Sequence, residues 1–515
     1  MMSQLRLRRP GKATALARRI DSTRLGPAAS LRPRLETVLG TLGLATAGRT
    51  SDLLDVLDQA LAEGGTDRMW LAMAVLSGEL PDGASLQRAC RKATLDGPLA
   101  ALADVLAGRE GADQAIPLSA RVEVVTGQIV VDLHHTAGTS FATGIQRVAR
   151  EVVRGWDSAH EFILVGWTPG YRALHRLTRD ALDGRSSHGD HGATAKDLTI
   201  VVPWRSTYVL PELLGESGRV DRFHALARSS GNQSAVIGFD CVPLTTGETA
   251  IEGMGADFAN YLSAVAQVDR VATISEGAAV EFRGWRAMLK GAGLAGPEIT
   301  PVPLPVERPP YDEESRQAAR ERFTVVGMPM VLIVGSHEPR KNHRAVLHAA
   351  ELLWREGLEF SLLLVGGNSW NSERFTATLH DLQDAGRPVH AVRALTDELL
   401  WEVYAIARCT LFPSLNEGFG LPVAESIASG TPVITSNFGS MREIAAPGGA
   451  LLVDPRDDHA IADALRRLLT DDALHATLAQ EARDRPQRTW EHYAGETWDY
   501  LVDGIRPPTS PGARL

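Results

Sequence analysis

At 515 residues the chain is too long for one hydrophobic core and divides into two or three domains. Apolar residues at 44% and charged residues at 23% are ordinary for a soluble globular protein. A formal charge of −10 argues against non-specific nucleic-acid binding, and the three widely spaced cysteines, Cys90, Cys241 and Cys409, give neither a disulfide framework nor a zinc site. No window reaches the ~18 uncharged apolar residues of a membrane-spanning helix, and no secretory apolar region is present. A reducing, cytoplasmic setting is the expectation.

Residues 1–35 carry nine basic side chains against Asp21 alone. Such an arm could be a flexible soluble tail, a contact for anionic lipid at the inner face of a membrane or for an acidic partner, or a transit segment. Over 36–120 the patterns are helical and short. Ser51 is placed to cap a helix with apolar positions Leu53, Leu54, Leu57, Ala60 and Leu61, and further helices are predicted at 67–77, 85–94 and 98–107. This extension holds no cluster of reactive residues and is expected to serve interaction or oligomerisation. Residues 109–120 read as a polar linker.

An alternation of strands and helices then begins. Ile129–Leu133 reads as a buried strand, His134 to Thr143 as a loop, and Gly144 opens an amphipathic helix through Ile145, Val148, Val152 and Val153. Strand, glycine turn and helix start make an anion-binding corner. His134 and His135 beside it could reach a substrate or cap the strand end. Strands are also predicted at 161–167, 198–204, 235–239, 270–274 and 299–304. Asp240 directly follows one of them, where an acidic side chain points into the ligand crevice of an open α/β sheet. Ser275 reads as the cap of a structural helix.

Five prolines from Pro301 to Pro310 stiffen a crossing into a second α/β domain. Its first strand, 329–334, ends in a turn carrying Arg340 and Lys341, which can neutralise a departing diphosphate. Strands at 360–365 and 389–392 follow, then Cys409–Phe412, which runs into Asn416-Glu417-Gly418-Phe419-Gly420-Leu421-Pro422-Val423-Ala424-Glu425. The glycines let backbone approach a ligand, Pro422 suits a first helical turn, and the free amides before it suit a diphosphate. Glu417 and Glu425 would repel that ligand unless they accept hydrogen bonds from neutral hydroxyls, as sugar hydroxyls allow. Asp457-Asp458 and Asp471-Asp472 open helices and read as caps rather than metal ligands.

The glutamate pair with seven residues between its members, followed by Ser426-Ile427-Ala428-Ser429-Gly430-Thr431-Pro432-Val433, resembles the signature of retaining glycosyltransferases of family four. The words Thr143-Gly144-Ile145-Gln146-Arg147-Val148 and Glu338-Pro339-Arg340-Lys341-Asn342 are similar to a branch that includes O-antigen mannosyltransferases. The resemblance covers about residues 121–505. It implies two Rossmann-like domains facing a cleft, the GT-B architecture: an acceptor side over 121–305, a donor side over 306–485, and a crossing helix and tail over 486–515.

The same resemblance implies that Glu417 and the loop amides of Gly418, Phe419, Gly420 and Leu421 hold the transferred sugar. It gives Glu425 the nucleotide ribose, Arg340 and Lys341 the diphosphate, and Arg393 a place at the base-binding turn. It places Gly144 in the donor-binding set and His134, His135 and Asp240 on the acceptor side of the cleft. The branch usually carries histidine where this chain has Phe239, and many relatives carry an arginine near Gly335. The implied activity is metal-independent, same-face transfer of a hexose from a nucleotide sugar to a glycan or lipid-linked saccharide, with no separate cofactor. GDP-mannose is favoured by the branch, and dTDP-rhamnose and UDP-sugars stay open. The alternative is a catalytically silent GT-B protein that binds a nucleotide sugar or scaffolds a glycan assembly complex.

Overall fold

The computed structural model describes residues 31–108, 116–139, 144–183, 198–310 and 312–504. The first sheet is built, in chain order, from β1 (Arg121–Val125), β2 (Ile129–Asp132), β3 (Ile163–Trp167), β4 (Leu174–Arg176), β5 (Thr199–Pro203), β6 (Thr207–Leu210), β7 (Gln233–Gly238), β8 (Arg270–Thr273) and β9 (Glu298–Pro301). These lie side by side as β1-β5-β4-β3-β2-β6-β7-β8-β9. Only β4 runs antiparallel to its neighbours. The second sheet holds β10 (Met330–Val334), β11 (Ser361–Val365), β12 (Val389–Val392), β13 (Cys409–Phe412), β14 (Val433–Ser436) and β15 (Ala450–Val453). All its pairs are parallel, in the order β12-β11-β10-β13-β14-β15.

Parallel neighbours need crossovers, and the intervening helices cover both faces, so the central strands are continuous apolar runs such as the fully buried Ser361-Leu362-Leu363-Leu364-Val365. In the second sheet the order reverses between β10 and β13. In the first it reverses between β2 and β6. The loops leaving the carboxyl ends of those strands therefore diverge and open a crevice in each lobe.

The four helices predicted in the extension are present, at Thr50–Ala62, Thr66–Ser77, Gly83–Asp96 and Pro98–Ala107. The first begins one residue before Ser51. Its cap is Arg49, whose backbone N–H donates to the Asp52 carboxylate (3.1 Å), so Ser51 caps nothing. A further helix, Leu31–Thr41, cuts into the basic arm: Leu31, Arg34 and Leu35 are buried, and the Arg34 guanidinium donates to Leu76 O and Pro117 O. The rest of the arm lies outside the described residues.

The extension is not set apart from the first lobe. Its buried Trp70, Leu71 and Leu76 share one apolar core with Val122, Val201 and Phe223, and Arg172 pairs with Glu79 across the junction (3.1 Å).

Strands β1, β4, β6 and β15 were not predicted. His134–Ala137 is a short helix rather than loop. β4 has three residues and one buried side chain, too little period for a pattern to register. At the far end, Trp490–Trp498 returns to pack on the helix Gly144–Ala159, with the Trp156 indole N–H donating to Ala494 O (2.9 Å). Asp457 and Asp471 cap their helices by accepting from Ala460 N and Leu474 N.

Candidate active site

The turn after β10 and the loop after β13 meet at the reversal point of the second sheet. Asn342 turns the chain there with a left-handed backbone (φ 59°), and its side-chain amide donates to Pro413 O and Pro455 O. This folds Arg340 and Lys341 against the β13 loop. The Lys341 ammonium lies 2.6 Å from Glu417 Oε1 and 5.0 Å from the centre of the Phe412 ring. Arg340 Nη1 lies 2.5 Å from Glu417 Oε2 and donates to Asn416 O (2.7 Å), while Nη2 donates to Glu338 (2.8 Å). Ser414 adds a hydroxyl donor to Glu417 Oε1 at 2.7 Å. Burial by itself would raise the Glu417 carboxyl, but the two cations outweigh it and hold it down to about 2. A fixed carboxylate thus orients two largely buried cations beside a helix start.

That start is the helix Leu421–Ala428. Gly420 enters it with φ 101°, which a side-chain-bearing residue rarely adopts, and Val423 N bonds back to Gly420 O (2.9 Å). The amides before Val423 are those a helix start leaves without intrahelical acceptors. Cations and free amides together suit an anion such as a diphosphate.

The first lobe closes directly on this loop. A Cβ at Gly418 would lie 2.6 Å from Phe239 O and 2.9 Å from Asp240 Oδ2. The Asn416 side-chain amide donates to Glu281 (2.7 Å) and to Thr245 Oγ1 (2.9 Å). Ser275 does cap its helix, accepting from Ala278 N, but its hydroxyl also donates to Gly418 O at 2.5 Å, so it is an interlobe contact as well. Gly418→Ala is therefore expected to keep the fold of each lobe and hold them apart. Activity should fall at least ~10-fold with little change in melting temperature, checked by transfer rate and thermal unfolding side by side.

Asp240 sits between the lobes. Burial pushes its carboxyl up to about 6, against the pull of Arg340, with Glu281 and Glu417 adding to the rise. If the carboxylate form serves the reaction, the rate should fall as pH drops through about 6. Asp240→Asn should remove that limb of the pH–rate profile. Phe239, in the place of the branch histidine, is buried (5% exposed) in an apolar cluster that also holds Phe419, Val423 and Met441 of the second lobe. It serves packing and carries no proton.

Glu425 stands one helical turn into Leu421–Ala428 and is buried. Its Oε2 accepts from the Tyr404 hydroxyl (3.0 Å) and its Oε1 from Arg147 Nη1 (3.0 Å), the latter reaching over from the first lobe. Burial raises this carboxyl, and Arg147 and Tyr404 oppose the rise. Gly144, one turn before Arg147, faces Leu421: a Cβ on it would lie 3.6 Å from Leu421 Cδ1. The helix starts of the two lobes thus meet across the cleft.

The two histidines part ways. His134 is buried, and its Nδ1 accepts from Trp167 N (3.1 Å), which makes it a strand-end cap. His135 is partly exposed and its Nε2 lies 2.6 Å from Glu216, a partner that raises its pKa. Beneath it the fully buried Arg219 donates to Asp132 (2.9 Å) and Glu212 (2.6 Å) at the reversal point of the first sheet. Arg393 is exposed at the end of edge strand β12 and makes no hydrogen bond to the Arg340–Lys341–Glu417 group.

Sequence reasoning passed over Arg147, Tyr404, Ser414 and the Asp132–Arg219–Glu212 network. Only Arg147 had a signal, its place one turn after Gly144. Among the described residues no group of three or more His, Cys, Asp or Glu side chains is placed to hold a metal ion.

Two α/β sheets, one wholly and one almost wholly parallel, whose carboxyl-end loops face each other define a GT-B fold. Residues 315–485, most of the second lobe, match the family profile of glycosyl transferases group 1. The chain is 28% identical over 337 residues to the serotype-specific mannosyltransferase WbdA of Escherichia coli, covering 62% of this chain and 40% of that one. It is 33% identical over 182 residues to the O-antigen chain mannosyltransferase B of Escherichia coli, covering 34% and 46%. The chain thus spans less than half the length of these curated relatives. Among solved structures, sucrose-phosphate synthase from Thermosynechococcus elongatus superimposes with a TM-score of 0.53 at 19% identity, over 74% of this chain and all of that one, a likeness of fold alone.

Proposed function

We propose that the protein is a retaining glycosyltransferase that moves a hexose, with mannose favoured, from a nucleotide sugar to a glycan or lipid-linked saccharide. The observation that carries this reading is the pair of largely buried cations, Arg340 and Lys341, fixed by Glu417 at the start of the helix Leu421–Ala428. Their place at the reversal point of the second sheet suits a departing diphosphate. The mannosyltransferase relatives favour the sugar.

In the proposed reaction the bond from the anomeric carbon to the phosphate oxygen breaks, and the diphosphate leaves with the electron pair. The acceptor hydroxyl oxygen bonds to the same face, and its proton passes to the leaving phosphate. Arg340, Lys341 and the amides of Gly418–Leu421 stabilise the charge that develops. The cations supply this charge without a metal, so a chelator should leave the rate unchanged. His135, beside Glu216 at the first-lobe crevice, lies on the acceptor side.

The test is a panel of GDP-, dTDP- and UDP-sugars, with nucleotide release measured with and without oligosaccharide acceptors and the product anomer assigned by NMR. Release that depends on acceptor, with an unchanged anomeric configuration, is the expected result. Phe239 in place of histidine favours a second reading, a silent nucleotide-sugar-binding protein. That reading predicts donor binding without release under any acceptor.

A further inference from the structure

Arg147 is the cleft-facing cation that the first lobe contributes directly to a carboxylate of the second. It stands one turn into the helix Gly144–Ala159, with its side chain about one-third exposed, whereas Glu425 is 9% exposed. A carboxylate offers about four lone-pair sites. Arg147 and Tyr404 take one on each oxygen of Glu425, which leaves one on each for a pair of vicinal hydroxyls. The two bonds hold the plane of the carboxylate from opposite lobes. We propose that Arg147 is a positioning residue for donor recognition: from the first lobe it fixes Glu425 to receive the vicinal diol of the nucleotide ribose. The diol site is then complete only when the lobes are closed. This rests on the donor reading above.

The charged and titratable groups around Glu425 sharpen the consequence. Arg147 comes from the first lobe, and Tyr404 and Asp397 from the helix Asp397–Ile406. Burial already raises the Glu425 carboxyl and Asp397 adds to it. Removing Arg147 takes away the only cation opposing that rise among the causes acting on it, so Glu425 gains a proton at higher pH. A protonated carboxyl has lost acceptor capacity for the diol.

The experiment is calorimetric titration of the full chain with GDP, UDP and GDP-mannose from pH 6 to 9, on the wild type and on R147Q, R147K, E425Q and R147Q/E425Q. R147Q should bind the preferred nucleotide about 10-fold more weakly at pH 7, because a charge-assisted hydrogen bond is lost, with the deficit widening as pH falls because Glu425 then gains its proton more readily. R147K should stay within about 3-fold of wild type, with its flatter profile, since a cation is restored. The double variant should bind no more weakly than E425Q within about 2-fold, since both act through one carboxylate. Wild-type affinity in R147Q at every pH overturns the assignment, as do losses that multiply in the double variant. Should R147Q not fold, a more than 10-fold loss in R147K overturns it. A wild-type chain that binds none of the three nucleotides overturns the donor reading itself.

Discussion

Replacing Glu417 by alanine is expected to cut transfer by ~100-fold or more and also to destabilise the second lobe. The carboxylate is the shared counter-ion of Arg340 (2.5 Å) and Lys341 (2.6 Å), both largely buried. Removing it leaves two cations facing each other in a low-dielectric site. Breaking a buried pair by deleting one partner costs about 3–5 kcal/mol. The pH dependence gives the sign. Glu417 ionises at about 2 in the folded chain against an ordinary 4.5. Its stabilisation is therefore complete above pH 4.5 and lost as pH falls towards 2. The stability gap between the wild type and Glu417→Gln should be widest near neutrality and shrink below pH 4.5. Urea unfolding across that range is the measurement, with transfer assayed on the Gln variant because it keeps the volume.

Lys341→Ala should separate chemistry from folding. Arg340 still neutralises Glu417 when the lysine is gone, and Ser414 still donates to it. The lost ammonium is, on the proposed reading, the nearer charge for the departing phosphate. Its loss should lower kcat by ~100-fold, about 2.7 kcal/mol of transition-state stabilisation, with a smaller change in melting temperature than Glu417→Ala shows. Normal turnover in a folded Lys341→Ala chain would take the residue out of the mechanism. Lys341→Arg should restore little, because a planar guanidinium replaces the compact point charge held 2.6 Å from Glu417 Oε1.

The two glutamates show how far pattern alone reaches. Their spacing after a buried strand marked the crevice, and the β10 turn was legible because Arg340 and Lys341 directly follow an apolar run. What each glutamate does in the ligand-free chain was not legible. Glu417 is engaged by Lys341, 76 residues earlier in the chain, and by the neighbouring Arg340, and Glu425 by Arg147, 278 residues away. The capping role of His134 depends on Trp167 N in a neighbouring strand, and the packing role of Phe239 on an apolar cluster spanning both lobes.

The elements themselves are local. Apolar runs bounded by glycine and proline give the strands, and Asp457 and Asp471 start their helices by bonds to amides three residues on. The sequence by itself therefore determined the alternating α/β order, the two lobes and the phosphate-suited loop, because periodicity, caps and turns act over a few residues. Only the tertiary structure decided that the helical extension shares the first lobe's core, that Asp240 and Gly418 touch, and that Arg147 completes the second lobe's carboxylate. Those contacts depend on how two sheets close on each other, and no local preference encodes that distance.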